Sequence, residues 1–462
     1  MTLTTKCRDL RYCHDGRIET HTILLFIVCL VRNNLIGSLP AELGLLTDLT
    51  SLNWEQNTII TGTIPSAFEN LKSLRHFSCL YCTLTGKVPS WIGTGWPLLN
   101  VLGLSQNTMT GSIPSSIAEL TDLVILGLDD NLMTGTLDVL RTLPRLEQVY
   151  LENNNFVGTM NDTFLESASL LRTLDISGNE MVGSVPLHLM ARQDFKILDL
   201  HGNQLTVFDD AVPPNSNLTL LALYNNPFEG QVPSSMSNLG YLTHLDLTST
   251  TFTGPMPEFV GNERLTYLFL ADTKFDKGSI PDSYQALTNL VDLSLMSSSR
   301  TGSIPPWVDA LDQLVLLDLH SNSLTGTIPS TLADLSNLEF LLLNRNELTG
   351  EMPTNLAFAD VLQIIHVDHN SLNGTMDAVC DAASLLQDAI SDCGVVSNSG
   401  DGGVPEISCR CCNLCCVDTN DDDSDENACN TKDAVSQFDP KWENVFSRSF
   451  YDFEKDFLGS NS

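Results

Sequence analysis

The chain has 462 residues, and its 57 acidic and 23 basic side chains give a formal net charge of −34. General nucleic-acid binding requires a basic surface, so that function is excluded, and an anionic membrane surface would repel the chain. The negative charge has two alternative explanations: it keeps the chain soluble, or it serves the binding of a basic partner. The length alone favours about three domains, but the periodicity described below favours one elongated body.

The first apolar segment, residues 23–31, is far shorter than the roughly 20 residues of a membrane-spanning helix. Charges and two cysteines precede it and no small-residue cleavage site follows, so it is a poor signal-peptide core. Its end, residues 28–33, fits the first strand of the repeat that follows. The sequence therefore predicts no direct membrane span.

A glycine recurs at intervals that are almost all 24 or 25 residues, and eleven of the fourteen recurring glycines precede a proline by three residues. The recurring glycines are Gly37, Gly62, Gly86, Gly111, Gly135, Gly158, Gly183, Gly230, Gly254, Gly278, Gly302, Gly326, Gly350 and Gly374. The 47-residue gap after Gly183 contains a weaker copy at residues 198–205, which makes 15 registers over residues 24–376. A fixed period of this size predicts a solenoid.

One repeat, residues 99–114, shows how the pattern would fold. Leu102 and Leu104 alternate with small or polar residues, as in a strand with one buried face. The same strand in every repeat must stack in parallel, which joins the leucines into one core. The amide of Asn107 is expected to bond the neighbouring repeat, because the turn there would otherwise bury unpaired backbone groups. Gly111 permits a backbone conformation closed to other residues, and Pro114 starts the return segment.

These residues resemble the plant-type leucine-rich repeat, a strand LxxLxLxxN followed by xLxGxIP, over about three-quarters of the chain. The resemblance implies an α/β solenoid, a right-handed superhelix of about 15 repeats of 24 residues with capped ends. It also implies a concave parallel β-sheet and a second short sheet beside it. Proteins of this family are mostly extracellular recognition modules, among them receptor ectodomains, kinase-free relatives and secreted enzyme inhibitors.

The pattern departs from this consensus in several repeats. The strand asparagine is replaced at Cys82, Thr250 and Ser298, and the proline is missing after Gly135, Gly158 and Gly374. We therefore expect a local irregularity in the repeats near residues 135–210. Cys79 and Cys82 occupy inward or ladder positions and are predicted to be buried packing residues.

Before the repeats, residues 11–18 resemble the end of the family's paired-cysteine N-terminal cap. Residues 1–23 are accordingly the expected remnant of such a cap, with Cys7 and Cys13 as disulfide cysteines. Either the native start and its signal peptide are missing from this chain, or the sequence was assembled incorrectly near residues 18–25, where the cap-like segment meets the first repeat. The lack of a readable signal peptide is then only weak evidence against secretion.

After the repeats, residues 377–416 are the expected cysteine-rich cap over the open end of the core. Eight cysteines crowd this end: Cys380, Cys393, Cys409, Cys411, Cys412, Cys415, Cys416 and Cys429. The run at residues 409–416 is similar to caps of some algal surface leucine-rich proteins. In an oxidising compartment we predict at least three disulfides here. A zinc site is the alternative, because Cys412 and Cys415 have ligand spacing, but no second pair or histidine supports it.

Three glycosylation sequons agree with export: Asn161, Asn217 and Asn373. Each falls in a turn or just before a strand. Chance would give a similar number, so the sequons only support an extracellular location.

The chain contains no Walker loop, nucleophile elbow, zinc-protease helix or kinase signature set. The acidic stretch at residues 418–426 lacks the sixth-position glycine and the final glutamate of an EF-hand. His320, Arg345, His366 and His369 fall on the last concave strands, where we expect a scattered polar surface rather than a metal or catalytic site. No enzymatic activity, cofactor or metal is predicted.

In the implied solenoid, the side chains before and after the second leucine of each strand face the concave surface. The candidate ligand-binding residues at this register are Tyr81, Tyr150, Tyr224, Phe269, Asp272, His320, Arg345, His366 and His369. Tyr150, Tyr224 and Phe269 are the strongest candidates, because exposed aromatic rings supply contact area at low entropic cost.

The last segment, residues 417–462, is an acidic tail that contains six aromatic residues at spacings of 4, 4, 4, 3 and 4. These are Phe438, Trp442, Phe446, Phe450, Phe453 and Phe457. On a helix they would lie within an arc of roughly 120°. We predict an amphipathic helix over residues 438–458 that docks on the solenoid, on a partner or on a co-receptor. A disordered tail with incidental aromatic residues is the alternative.

The sequence therefore predicts a non-enzymatic module, extracellular or at the cell surface, that binds a protein, peptide or glycan through its concave face. Its action would be receptor-like or inhibitor-like. The alternative function is a structural or adhesion protein of the cell surface or wall, in which the repeats mainly set length and shape. An intracellular adaptor is the alternative location, and it would require reduced cysteines.

Overall fold

The computed structural model describes residues 27–358, 361–382, 385–391, 407–409, 411–412 and 414–415. The chain forms a leucine-rich repeat solenoid, as predicted, built around a 17-stranded parallel sheet. The predicted N-terminal cap with Cys7 and Cys13, the acidic tail, and Cys393, Cys416 and Cys429 lie outside the described residues.

Each repeat contributes one short strand to the 17-stranded sheet, which we call the concave sheet. Its strands are Ile27–Cys29, Ser51–Asn53, His76–Ser78, Val101–Gly103, Ile125–Gly127, Gln148–Tyr150, Thr173–Asp175, Ile197–Asp199, Leu220–Ala222, His244–Asp246, Tyr267–Phe269, Asp292–Ser294, Leu316–Asp318, Phe340–Leu342, Ile364–His366, Asp388–Ser391 and Leu414–Cys415. Neighbouring strands pair in register, as where Leu245 lies opposite Leu268. The first 15 are the predicted registers, and the last two continue the sheet into the cysteine-rich segment.

A second set of strands follows the asparagine turn of most repeats. Eight of them pair in one parallel sheet: Ile36–Ser38, Ile59–Gly62, Thr83–Gly86, Thr108–Gly111, Leu132–Gly135, Asn155–Met160, Glu180–Ser184 and Gln204–Val207. Five more form another: Thr301–Ser303, Ser323–Gly326, Glu347–Glu351, Ser371–Thr375 and Ile407–Ser408.

Short helices lie in the return segments. The 3-10 helices are Ala41–Leu45, Ser66–Asn70, Ser115–Glu119, Asp138–Thr142, Ser234–Asn238, Asp282–Ala286, Pro306–Ala310, Ser330–Asp334 and Thr354–Phe358. The α-helices are Ile92–Gly95, Leu187–Met190 and Asp377–Ala382. Among the described residues, no helix has the length and apolar character needed to cross a membrane.

The strand leucines form one continuous core, and the asparagine turns hold neighbouring repeats together. Leu102 and Leu104 have no exposed surface. Asn107 donates its amide hydrogens to the carbonyl oxygens of Leu104 and Cys79, both at 2.8 Å, and its Oδ1 accepts the N–H of Leu84 at 2.8 Å. This cross-repeat bonding confirms the role predicted for the asparagine, because it satisfies backbone groups that the turn would bury unpaired.

The expected irregularity near residues 135–210 is present as one register shift, between Gly183 and Ser184, although that stretch keeps its second strands. A larger interruption, which the sequence did not predict, follows it. The described second strands stop at Val207 and resume at Thr301. Single bonds bridge the gap, such as Thr253 N–H to the Gly230 carbonyl at 2.7 Å.

The loss of the asparagine acceptor accounts for the gap in the second sheet. Thr250, Thr273 and Ser298 each donate only to a carbonyl of their own repeat. None of these hydroxyls accepts the N–H that opens the second strand of the preceding repeat, as Asn107 does for Leu84. Thr273 also replaces the asparagine, in addition to the three replacements named above. Cys82 is an exception, because the strand Ile59–Gly62 persists beside it.

The cysteines also differ in part from expectation. Cys79 and Cys82 are buried, as predicted, but they form a disulfide instead of packing as free thiols. In the cysteine-rich segment the structure shows Cys380 bonded to Cys411 and Cys409 bonded to Cys412. The second of these disulfides takes Cys412 out of the alternative zinc pair. The sulfur atoms of Cys380, Cys409 and Cys411 lie within 4.8 Å of one another.

Candidate functional site: the concave face

Three side chains in each repeat point away from the core and form the concave face. In one repeat, Leu317 and Leu319 belong to the core, whereas Leu316, Asp318 and His320 alternate with them. Successive strand residues point to opposite sides of a sheet, so these three share the opposite face. None of the ligand-binding residues predicted from the sequence occupies the first position, the residue that opens each strand. The alternation of core and outward-facing residues along each strand identifies this first position as part of the concave face.

Strand-opening residues, together with other residues of the concave face, form two apolar clusters that are separate from the core. The central apolar cluster consists of Ile197, Leu220 and Ala222, with Tyr224 packed against it. The C-terminal apolar cluster consists of Leu316, Leu342 and Ile364, with Phe340 packed against it. The side chains of both clusters are only 0–8% exposed, because they pack against one another on the concave side of the sheet and outside the repeat core. They form an apolar floor of the concave face.

Aromatic residues between and beside these clusters stack across neighbouring strands. Tyr224 stacks on His201 with ring centroids 4.0 Å apart, and Tyr267 stacks on His244 at 4.5 Å. Tyr150 is half-buried at the end of its strand. Phe269 is only 8% exposed and is therefore not the exposed anchor that the sequence predicted, although it is not part of the core cluster.

Four predicted site residues lie at a turn position with left-handed backbone. The φ angles are 52° at Tyr81, 49° at Asp272, 56° at Arg345 and 54° at His369. Each comes just before the asparagine or its replacement, where the chain bends out of the strand. Left-handed backbone is unfavourable for side chains with a Cβ, and the repeated cross-strand bonds hold it here. These side chains lie along one rim of the concave face.

The predicted residues do not form one patch. Tyr150 ends the sixth strand in chain order, whereas Tyr81 and Asp272 lie just after the third and eleventh strands. Tyr224 joins the central apolar cluster. His320, Arg345, His366 and His369 come from three consecutive repeats at the C-terminal end, beside the C-terminal apolar cluster.

Buried and half-buried carboxylates cross the middle of the concave face. Burial, and then the negative charge of Asp199, hold the pKa of Asp175 well above its ordinary value, although Ser177 bonds the carboxylate. Burial, Asp175 and Asp129 raise the pKa of Glu152 in the same way. Burial also raises the pKa of Asp246 to about 6. Like charges held close together in a dry site favour protonation or a positively charged neighbour.

Histidines pair with aspartates on the same face. His201 Nδ1 lies 2.7 Å from Asp199 Oδ1, and His320 Nδ1 lies 2.6 Å from Asp318 Oδ1. Burial lowers the pKa of both imidazoles, but the paired aspartates outweigh it and raise the net value. The Nδ1 of His244 lies 2.7 Å from the Thr243 hydroxyl, and burial lowers the pKa of this imidazole to about 4.

The predicted glycosylation asparagines differ in accessibility. Asn161 and Asn373 are exposed, whereas Asn217 is half-buried. The Nδ2 of Asn217 donates to the Gln193 carbonyl at 2.9 Å. A glycan on Asn217 would have to replace that bond, so the geometry favours the other two positions.

Comparison with protein families agrees with the repeat pattern. The Leucine Rich Repeat family model matches residues 217–239 and 313–335. Receptor-like protein 35 of Arabidopsis thaliana is 33% identical over 234 residues, which are 49% of this chain and 22% of that protein. Receptor-like protein 39 of the same plant is 32% identical over 207 residues. The matched region thus spans about a fifth of the length of these relatives.

Solved structures show the same architecture. The structure of PEPR1 with AtPEP1 superposes with a TM-score of 0.69 and 27% identity, over 77% of this chain and 50% of that one. The Arabidopsis receptor kinase HAESA, in complex with the peptide hormone IDA and the co-receptor SERK1, gives 0.66 and 27%, over 79% and 66%. The repeat, the fold and these likenesses together show that the chain is built of leucine-rich repeats.

Proposed function

We propose that this chain is a non-enzymatic recognition module, extracellular or at the cell surface, that binds a protein or peptide through its concave face. The observation that carries the proposal is the pair of apolar clusters on that face, outside the repeat core. Apolar and aromatic side chains on a rigid scaffold are the usual anchors of a binding surface. The solved relatives include receptors in complex with peptide hormones.

A glycan ligand and a purely structural role are the other candidates that the sequence left open. The concave clusters are mainly aliphatic, which suits apolar peptide side chains. The disulfides in the cysteine-rich segment support an oxidising compartment. Exposed Asn161 and Asn373 are consistent with glycosylation there.

The proposal is tested with the full chain as bait against secreted proteins and peptides, followed by affinity measurement on the ligand obtained. Replacing Tyr150, Tyr224 and Phe269 together by alanine should weaken binding by about 1–4 kcal/mol per anchor that the ligand uses. Tyr241→Ala is the matched control, because Tyr241 is 46% exposed and lies outside the concave strands. Binding that both variants retain would place the ligand elsewhere, on an edge or a cap of the solenoid, and would contradict the concave site.

A further inference from the structure

Two buried polar side chains near the C-terminal end of the concave face have unused hydrogen-bonding groups. Asn344 is 1% exposed, and neither its Nδ2 nor its Oδ1 has a partner. Asp368 has no exposed surface, and its Oδ1 has no partner. Burying polar groups without a hydrogen bond costs free energy, so native proteins rarely keep them without a reason.

These two residues lie side by side and face the concave side. Leu343 and Val367 precede them and belong to the core, so Asn344 and Asp368 point the other way. The N–H of Arg345 bonds the Asp368 carbonyl at 2.9 Å, which aligns the two repeats at this position. Adjacent strands are about 4.8 Å apart. His320 occupies the same position one repeat earlier, so the three residues form a row that we call the polar row.

Two side chains of the polar row, His320 and Asp368, are already held in place by hydrogen bonds. His320 Nδ1 lies 2.6 Å from Asp318 Oδ1, and Asp318 Oδ2 accepts the Ser294 hydroxyl at 2.8 Å. His369 Nδ1 lies 2.8 Å from Asp368 Oδ2. These bonds fix the Asp368 carboxylate while they leave its Oδ1 available. His320 and Asp368 are therefore ordered before any ligand arrives, which lowers the entropic cost of binding.

The chemistry of the row favours a neutral group that both donates and accepts. Asn344 offers a donor and an acceptor, and Asp368 offers an acceptor. The carboxylates of Asp318 and Asp368 would repel a free anion, and Arg345 and protonated histidines would repel a free cation. An amide, with N–H and C=O close together, matches what is offered. The adjoining Leu316, Leu342 and Ile364 supply an aliphatic floor for a neighbouring side chain.

We infer that the polar row is a subsite for an amide of a bound peptide, from its main chain or an Asn or Gln side chain, next to an apolar residue on the C-terminal apolar cluster. This inference rests on the proposed function and names the ligand chemistry at one end of the concave face. Asn344 and Asp368 would each contribute a hydrogen bond that is made only when the peptide is present.

Stability measurements provide the first test, because Asn344 has a natural control two residues away. Asn346 is 8% exposed, donates to the carbonyls of Leu319 and Leu343 at 3.0 Å, and accepts the N–H of Leu324 at 3.0 Å. In the full chain, Asn346→Leu should lower the melting temperature, whereas Asn344→Leu should leave it unchanged or raise it. An equal loss in both variants would assign Asn344 a structural role and overturn the subsite.

Peptide binding provides the second test. Random dodecapeptides displayed on phage are panned on the full chain, and enriched peptides are measured against Asn344→Leu and Asp368→Asn. We expect each substitution to weaken binding about tenfold or more. Peptides that bind these variants normally but lose affinity for the Tyr150, Tyr224 and Phe269 triple variant would overturn the subsite and leave the proposed function intact. If no peptide is enriched, or if only a glycan array gives binding, the peptide assignment is wrong in both proposals.

Discussion

Tyr224 lies flat on the imidazole ring of His201, with ring centroids 4.0 Å apart and an interplanar angle of 8°. The two residues occupy the same position in adjacent repeats, and His201 is held in turn by Asp199 at 2.7 Å. The stack therefore joins an aromatic ring, an imidazole and a carboxylate across two strands. Tyr224 also packs against the central apolar cluster, where we expect a ligand to dock.

The stack predicts a measurable coupling between the two residues. In a double-mutant cycle of His201→Ala and Tyr224→Ala, the coupling free energy of unfolding should be about 0.5–1.5 kcal/mol, because stacked rings gain this much beyond buried area. Urea titrations of the four proteins measure it. The pair His76 and Tyr224 is the control, since these residues are several strands apart and should show additive effects.

Substitution of Arg300 should destabilise the fold more than substitution of most other residues outside the leucine core. The side chain is 1% exposed, and its guanidinium donates to the carbonyls of Ser298, Ser279 and Asp276 where the second sheet is interrupted. Arg300→Met would leave these carbonyls without partners and should cost about 2–3 kcal/mol of unfolding free energy.

Arg145→Met is the control for Arg300, because that side chain is 60% exposed in a surface pair with Asp122. Exposed pairs typically contribute about 0–1 kcal/mol. Chemical denaturation of both variants gives the comparison. Equal, small losses would mean that solvent or other donors replace the guanidinium at the interruption.

The raised pKa of Asp292 predicts that the stability of the fold depends on pH in a specific way. Burial, and then the charge of Glu339, raise its pKa from 3.8 to about 7. The folded state therefore holds this proton more tightly than the unfolded state does. The stabilising contribution is fully present below about pH 4 and is lost as the pH rises to about 7.

Asp292→Asn removes this titration without removing the polar group. We expect the variant and the natural chain to have similar unfolding midpoints at pH 4, and the variant to be the more stable of the two at pH 7.5. Asp334→Asn, in an exposed position at the end of the helix Ser330–Asp334, is the control and should show no such divergence. Parallel pH profiles for all three proteins would contradict the assignment to Asp292.

The cysteine-rich segment should depend on its disulfides. The Cys380–Cys411 bond closes a loop with a sequence separation of 31, and loops of this size typically gain about 3 kcal/mol from a disulfide. The paired change Cys380→Ser and Cys411→Ser should lower the unfolding midpoint and increase hydrogen exchange in Asp388–Ser391, which pairs with the last strand of the sheet.

Intact-mass analysis after thiol labelling tests the wider prediction of at least three disulfides between residues 380 and 429. Labelling of most of these cysteines in the native protein would contradict both the disulfides and the extracellular location. The Cys79–Cys82 bond serves as an internal comparison, because both sulfurs are buried within the repeats.

The sequence by itself determined the repeat length, the core leucines and the asparagine turns, because each of these recurs with a period that a stacked strand imposes. Asn107 shows how far this goes: its partners in the neighbouring repeat follow from its position in the turn. The sequence also located the replacements at Thr250 and Ser298, but not their effect on the second sheet. That effect depends on an acceptor that serves the preceding repeat, so it appears only when two repeats are in contact.

Only the tertiary structure decided which outward-facing residues meet. Leu316 and Leu342 are 26 residues apart in the sequence, and Leu342 and Ile364 are 22 apart; they become neighbours because strands pair in register. The contrast between Asn344 and Asn346 has the same origin. Both are buried asparagines in one repeat, but the turn directs Asn346 to backbone carbonyls, whereas the strand directs Asn344 to the concave face, where no side chain or backbone group of the described structure bonds it. Sequence periodicity fixes which side of a strand a residue occupies, but hydrogen-bond partners are fixed by distances across repeats.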